Sequence, residues 1–402
     1  MDTDRPRIAQ FIPTLSLGGA TLTVIELATR LRATGHGVEI ITGSDLEAGH
    51  SMLERAQGLG IPVHVIGSLR RRPHPIHDFR ALLELSARLR TGRFDIAHCH
   101  GTKGILLGSL AARRARIPAT VWHAHGWGFH DRSTALARMA IIAAHRTVAR
   151  HATRIVAVSE ATRRTGLTNR IGREENYRLI YEAADIERFG TPPLSMSDAR
   201  ERLGIDPSVL VVGSLTRLSP QKAPLDFVDV AALVLAEEPG VHFCIAGDGP
   251  LAEATTARIR ARGIEDGVTL LGARSDGPEV VAAFDIFALT SLWEGLPICY
   301  LEAMAMGKPV VGTDAGGGAS EAILDGTTGF CPPRGDIRAI ADRILELLRD
   351  ADLRQQMGAA GREHAMHFGY DRLLRDVTSL YRELGASAPG GPPAREAESC
   401  GG

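Results

Sequence analysis

A chain of 402 residues with 44% hydrophobic content and 44 glycines can build two or three domains with cores of their own, joined by many tight turns. No window approaches the ~18 uncharged apolar residues of a membrane span, the first six residues lack the apolar core of a signal peptide, and five cysteines without C-x-x-C spacing read as reduced thiols of a cytoplasmic protein. The formal charge of −1 hides a split: residues 1–188 hold 27 Lys and Arg against 17 Asp and Glu, and residues 189–402 hold 19 against 30, which points to an anionic partner on one side only. Aromatic residues make up 5% and are not interleaved with the basic clusters, which argues against a nucleic-acid platform.

In chain order, apolar runs predict strands over 7–12, 38–42, 63–66, 94–98, 119–123 and 154–158. Between them, helical periodicity predicts helices over 20–33, where Val24, Leu27 and Leu31 share a face, and over 76–90, 105–116 and 133–151. After the Pro-rich stretch Thr191-Pro-Pro-Leu-Ser the pattern restarts, with strands over 209–213, 241–247, 268–271, 286–290 and 309–313 and helices over 225–237, 251–262, 298–306 and 336–349. The expected class is α/β, with two Rossmann-like, doubly wound parallel-sheet domains facing each other across a cleft. The expected bounds are 1–188 and 189–370, with a hinge near 185–198. A last helix over 371–385 should pack back on the first domain, and a Gly/Pro/Ala-rich tail over 386–402 should be disordered.

Ligands of such sheets bind where strands end and helices begin. Five features fall there. Ser16-Leu-Gly18-Gly19-Ala20 lets backbone N–H groups approach a phosphate, or is a plain turn. His125-Gly126 ends a strand, where a histidine can bond a sugar hydroxyl; His98/His100 and His123/His125 each share a strand face, which invites a zinc reading, but no further ligand set has metal spacing and no metal is expected. Arg217 and Lys222, five apart on a loop, can clamp a diphosphate, in a chain whose only lysines are Lys103, Lys222 and Lys308. Gly247-Asp-Gly-Pro250 and the loop Gly316-Gly-Gly-Ala-Ser-Glu321 each follow a strand, and are turns or room for a nucleotide. Most informative is the pair Glu294 and Glu302, one at a strand-to-helix turn and one about two turns down the helix, which suit a ligand rich in hydroxyls.

In order and spacing these motifs resemble the retaining GT-B glycosyltransferases of family four, from about residue 8 to 381. The most specific block is Arg217…Lys222, Gly247-Asp-Gly-Pro, Glu294-Gly-Leu-Pro…Glu302-Ala-Met-Ala-Met-Gly-Lys-Pro-Val-Val and the Gly316 loop. The resemblance implies a nucleoside-diphosphate sugar donor, no cofactor and no metal. Arg217 and Lys222 would hold the diphosphate, Glu294 the sugar hydroxyls and Glu302 the ribose, with the backbone of Gly295, Leu296 and Pro297 along sugar and phosphate. Gly19 would meet the phosphates, His125 would lie near the anomeric centre, and Arg274 would lie beside the base. Two departures stand out: Thr21 follows Gly-Gly-Ala where the family often has Glu, and the glycine loop before Glu321 is one residue longer than usual.

For the acceptor, the arginine clusters of the first half and the mixed apolar and basic segment 133–154 suggest a polyprenyl-diphosphate-linked saccharide in cell-surface or exopolysaccharide assembly, met peripherally at the inner membrane face. Surface arginines that merely solvate the domain, and a soluble acceptor such as an aminocyclitol natural product, are the alternatives. A nucleotide-sugar 2-epimerase shares the architecture and is the alternative reaction class.

Overall fold

The structure, a computed structural model, describes residues 5–16, 18–44 and 50–386. The chain forms two compact units. The first comprises Met1–Ala157, Gly166–Ile180 and Leu373–Gly402; the second comprises Val158–Thr165 and Tyr181–Arg372.

The first unit holds strands β1 (Arg7–Phe11), β2 (Gly37–Gly43), β3 (Val63–Ile66), β4 (Ile96–His100), β5 (Ala119–Ala124), β6 (Arg154–Ala157) and β7 (Tyr177–Leu179) in the order β3-β2-β1-β4-β5-β6-β7, all parallel. Helices α1 (Gly19–Ala33), α2 (His50–Gly58), α3 (Pro75–Gly92), α4 (Gly101–Ala115), α5 (Ala135–Ala149) and α6 (Glu160–Thr168) connect them. β4 and β5 are buried along their whole length despite their three histidines. A parallel sheet covered on both faces demands this, so its strands do not alternate. The switch in winding direction lies between β1 and β4.

The second unit holds β8 (Val211–Leu215), β9 (His242–Ala246), β10 (Val268–Gly272), β11 (Ile286–Leu289), β12 (Val310–Gly312) and β13 (Gly329–Phe330), in the order β10-β9-β8-β11-β12-β13, again parallel. Its helices are α7 (Ile186–Gly190), α8 (Met196–Arg202), α9 (Pro224–Glu237), α10 (Ala252–Arg262), α11 (Gly277–Ala282), α12 (Ile298–Ala305), α13 (Gly318–Ala322), α14 (Ile337–Arg349) and α15 (Ala351–Ala365). Here the winding reverses between β8 and β11.

The stretch 185–198 holds α7 and the start of α8, the 188/189 position falls inside α7, and the two units divide at 180/181. Residues 158–165 belong to the second unit because the Glu321 carboxylate accepts the backbone N–H groups of Glu160 and Ala161, each at 2.7 Å, at the start of α6. An anion at a helix N-terminus satisfies orphan donors and the macrodipole together. The last helix, α16 (Tyr370–Ala386), lies with the first unit from Leu373 onward and sets Tyr381 beside Gln10 and His98. The expected disordered tail, beyond residue 386, lies outside the described residues.

Candidate functional site

In the second unit, the loops after β8, β9, β11 and β12 meet at the sheet's switch point. The loop after β8 carries Arg217, which is exposed, and Lys222. It ends on Ala223, held at φ 46, a left-handed conformation that costs a residue with a Cβ about 1–2 kcal/mol. Thr290 at the end of β11 stabilises it, its hydroxyl donating to the Ala223 carbonyl at 2.9 Å. The loop after β9 lies directly against this segment: Leu218 N–H donates to Asp248 O at 3.0 Å, and a Cβ on Gly247 (φ 142) would stand 1.7 Å from Thr216 O. Only glycine fits there.

The turn after β11 is fixed from both sides. Leu292 N–H donates to Gln221 O, and Glu294 N–H donates to Ala315 O, both at 2.8 Å. Gly318, where the glycine loop enters α13, touches the same turn: a Cβ there would lie 1.6 Å from the Gly295 carbonyl oxygen. The two motifs read separately from the sequence therefore form one rigid floor, with Gly295, Leu296 and Pro297 buried within it.

Lys222 and Glu294 are brought together as an ion pair, Nζ to Oε1 at 2.5 Å, with side chains only 17% and 7% exposed. Burial alone would pull the Lys222 ammonium down, but the Glu294 carboxylate outweighs it through charge and hydrogen bond and holds it above its ordinary value. Gln221, which sequence reasoning missed, donates its side-chain amide to Glu294 Oε2 at 3.3 Å and to Trp293 O at 2.9 Å. An amide beside a charged pair carries no signal in a single sequence.

Glu302 lies on α12. Burial, with Asp185 adding like charge, pushes its carboxyl up to about 7. Because the folded chain keeps this proton to higher pH than the unfolded chain, Glu302's contribution to stability is lost as pH rises from about 4.5 through about 7. Arg274 follows the edge strand β10, and Asp276 holds its guanidinium, with Nε 2.8 Å from Oδ1. Lys308 does not enter the loops: it is buried and donates to Ala282 O at 3.1 Å.

In the first unit, Gly19 opens α1 after β1, and Thr21, where the family often has Glu, is buried in that helix. His125, half-buried, follows β5. Its ring stacks on His123, centroids 4.3 Å apart, and its Nε2 lies 2.9 Å from His100 Nδ1. His98, His100 and His123 are fully buried, with ring nitrogens within 4.8 Å of one another, close enough to offer a metal three ligands. Spacing within each strand does not show this, because β4 and β5 supply the group jointly. Several of these ring nitrogens are engaged in hydrogen bonds: His123 Nδ1 with His98 Nε2 at 3.2 Å, His98 Nδ1 with Tyr381 OH at 2.6 Å, and His100 Nε2 with Gln10 Oε1 at 2.6 Å.

Known proteins match this arrangement along both units. Residues 195–364 match the family described as Glycosyl transferases group 1, and residues 18–181 match a Glycosyl transferase 4-like domain. The chain is 28% identical over 279 residues to the UDP-Gal:alpha-D-GlcNAc-diphosphoundecaprenol alpha-1,3-galactosyltransferase of Escherichia coli, covering 68% of this chain and 72% of that one. It is 33% identical over 217 residues to the alpha-D-kanosaminyltransferase of Streptomyces kanamyceticus, covering 53% and 55%. The fold matches the crystal structure of Anabaena HepE in complex with UDP and glucose, with a TM-score of 0.82 and 24% identity over 94% of this chain and 100% of that one. With two parallel-sheet α/β domains of GT-B type and both matches in chain order, the protein belongs to the group 1 glycosyltransferases.

Proposed function

We propose that this enzyme transfers a hexose or N-acetylhexosamine from a UDP-sugar, with retention, to a polyprenyl-diphosphate-linked saccharide in cell-surface polysaccharide assembly. The observation that carries the donor reading is the Lys222–Glu294 pair at the switch point of the second sheet, with Glu302 on the helix that follows. An arriving donor exchanges into this pair, its diphosphate turning to Lys222 and Arg217 and its sugar hydroxyls to Glu294. Gly295, Leu296 and Pro297 present backbone along sugar and phosphate, and Glu302 accepts from the ribose. Arg274 stands beside the base, Gly19 meets the phosphates and His125 lies near the anomeric carbon. The two cations stabilise the charge that gathers on the leaving β-phosphate, work that fixed charges do without reorganising. The departing phosphate oxygen accepts the acceptor hydroxyl's proton on the same face, so the step calls for no strong protein base and no metal.

Since a ribose hydroxyl donates to an ionised carboxylate, UDP affinity should rise with pH through about 7. With about a tenth of Glu302 ionised at pH 6, binding there is roughly tenfold weaker than at pH 8. Titration calorimetry should show this rise, and Glu302→Gln should bind weakly with a flatter pH profile. A profile identical in the variant would remove Glu302 from the ribose.

Support for a lipid-linked acceptor comes from the first unit. Ile76 and Phe79 on α3 are 62% and 61% exposed, with Leu83 on the same face, and Leu136 and Met139 on α5 are 80% and 67% exposed. Exposed arginines accompany both helices, among them Arg71, Arg72, Arg80 and Arg138. Apolar side chains within a basic surface suit the interface of an anionic bilayer. No helix among the described residues is long and apolar enough to cross a membrane. The similarity to an enzyme named for a diphosphoundecaprenol acceptor points the same way. We expect sedimentation with phosphatidylglycerol vesicles at low salt, lost in Phe79→Ser/Leu136→Ser; a wild type that stays in the supernatant contradicts the lipid reading. A soluble acceptor such as an aminocyclitol natural product is the alternative. An epimeric nucleotide sugar as the only product would replace transfer by epimerisation.

A further inference from the structure

The four histidines are joined through one side chain. Gln10, on β1, is fully buried and pairs in register with His98 of β4, while His100 pairs with His123 of β5. Parallel register puts all four residues on one sheet face. An amide has one accepting and one donating end. Gln10 Oε1 faces His100 Nε2 at 2.6 Å, and Gln10 Nε2 faces Tyr381 OH at 3.3 Å.

Each end dictates a chain of consequences. His100 must carry its proton on Nε2 to meet an oxygen, so its Nδ1 holds a lone pair. The only group that can satisfy that lone pair at 2.9 Å is an N–H on His125 Nε2. On the other branch the Tyr381 hydroxyl accepts from the amide and donates to His98 Nδ1 at 2.6 Å. His98 then donates from Nε2 to His123 Nδ1 at 3.2 Å. Burial keeps His98 and His100 neutral: it pulls His98 down to about 3 and His100 well below its ordinary value. With the amide in this orientation, His98 and His100 each carry their single proton on Nε2. Turning the Gln10 amide around would reverse every bond and place each proton on Nδ1.

We propose that Gln10 is a positioning residue which, through His100, fixes which nitrogen of His125 carries a proton, so that His125 presents an Nε2–H to His100 Nδ1. The Tyr381 hydroxyl meets the other end of the amide, which draws the C-terminal helix into the same hydrogen-bond chain. The inference rests on the placement of His125 near the reacting carbon only for its functional meaning; the hydrogen-bond order itself stands without that reading.

Imidazole nitrogen NMR on the ligand-free full chain tests it, with no donor or acceptor present. We expect neutral signatures for His98 and His100, with Nε2 protonated on His98, His100 and His125. In Gln10→Leu, of similar volume, His100 loses its acceptor, and His125 should shift toward a mixture of tautomers although residue 10 does not contact it. Gln10→Glu keeps an acceptor facing His100 and should leave His125 as in the wild type. A His125 signature unchanged in a folded Gln10→Leu overturns the proposal. So does protonation on Nδ1 in the wild type, or stoichiometric Zn2+ uptake that moves the His98, His100 and His123 signals, which would make the cluster a metal site. UDP binding measured on the same samples reports separately on the transferase reading.

Discussion

Replacing Lys222 by alanine should lower turnover on the order of 100-fold, about 2.7 kcal/mol of barrier. The side chain stands on the loop after β8, its ammonium held charged by Glu294 within a site that excludes most water. In the proposed reaction a fixed cation there acts on charge that exists fully only as the phosphate leaves. The same substitution strands the Glu294 carboxylate, and a buried charge deprived of its partner costs about 3 kcal/mol of stability. Steady-state kinetics with a thermal melt separate the two effects. The double variant Lys222→Ala/Glu294→Gln should recover much of the lost melting temperature and none of the lost turnover. Near-normal turnover in folded Lys222→Ala would take the lysine out of catalysis.

The second large effect comes from a residue without a side chain. Gly318→Ala places a methyl group 1.6 Å from the Gly295 carbonyl oxygen, so backbone must move against backbone. Overpacking of this kind costs about 3 kcal/mol, and the displaced part is the turn that carries Glu294. We expect a fall in melting temperature together with loss of measurable UDP binding. Gly326→Ala is the control for a glycine loop in general: it meets nothing within 4 Å, and its positive φ should cost only about 1–2 kcal/mol and leave UDP binding intact. A Gly318→Ala variant that binds UDP normally would show that the turn and the glycine loop are not mechanically coupled.

The two-sheet architecture was legible because parallel strands buried on both faces leave apolar runs, and the winding repeats after the Pro-rich stretch. The elements missed are those that pack without an apolar stripe. Helix α15 buries Gly358 and Gly361, the former against the Gly307 carbonyl, so its sequence reads as polar. Strand β4 was placed two residues early because His98 and His100 count as polar, yet both are fully buried in hydrogen bonds with partners distant in sequence. For the site, the residue types and their strand ends were readable, since chemistry at a switch point needs loops of that kind. The pairing was not. Nothing in the spacing of Lys222 and Glu294 says that they meet, and Gln10, Gln221 and Tyr381 enter only because the fold carries them to charged or aromatic neighbours.

The central claim is that the second unit is a working nucleotide site built around Lys222, Glu294 and Glu302. Thermal stabilisation across nucleoside diphosphates and nucleotide sugars tests it most directly, because a ligand that binds the native state raises the melting temperature. Expected is a clear shift with UDP and its sugars, lost in Glu302→Ala and Lys222→Ala. No shift with any nucleotide, or an undiminished shift in both variants, would contradict the assignment.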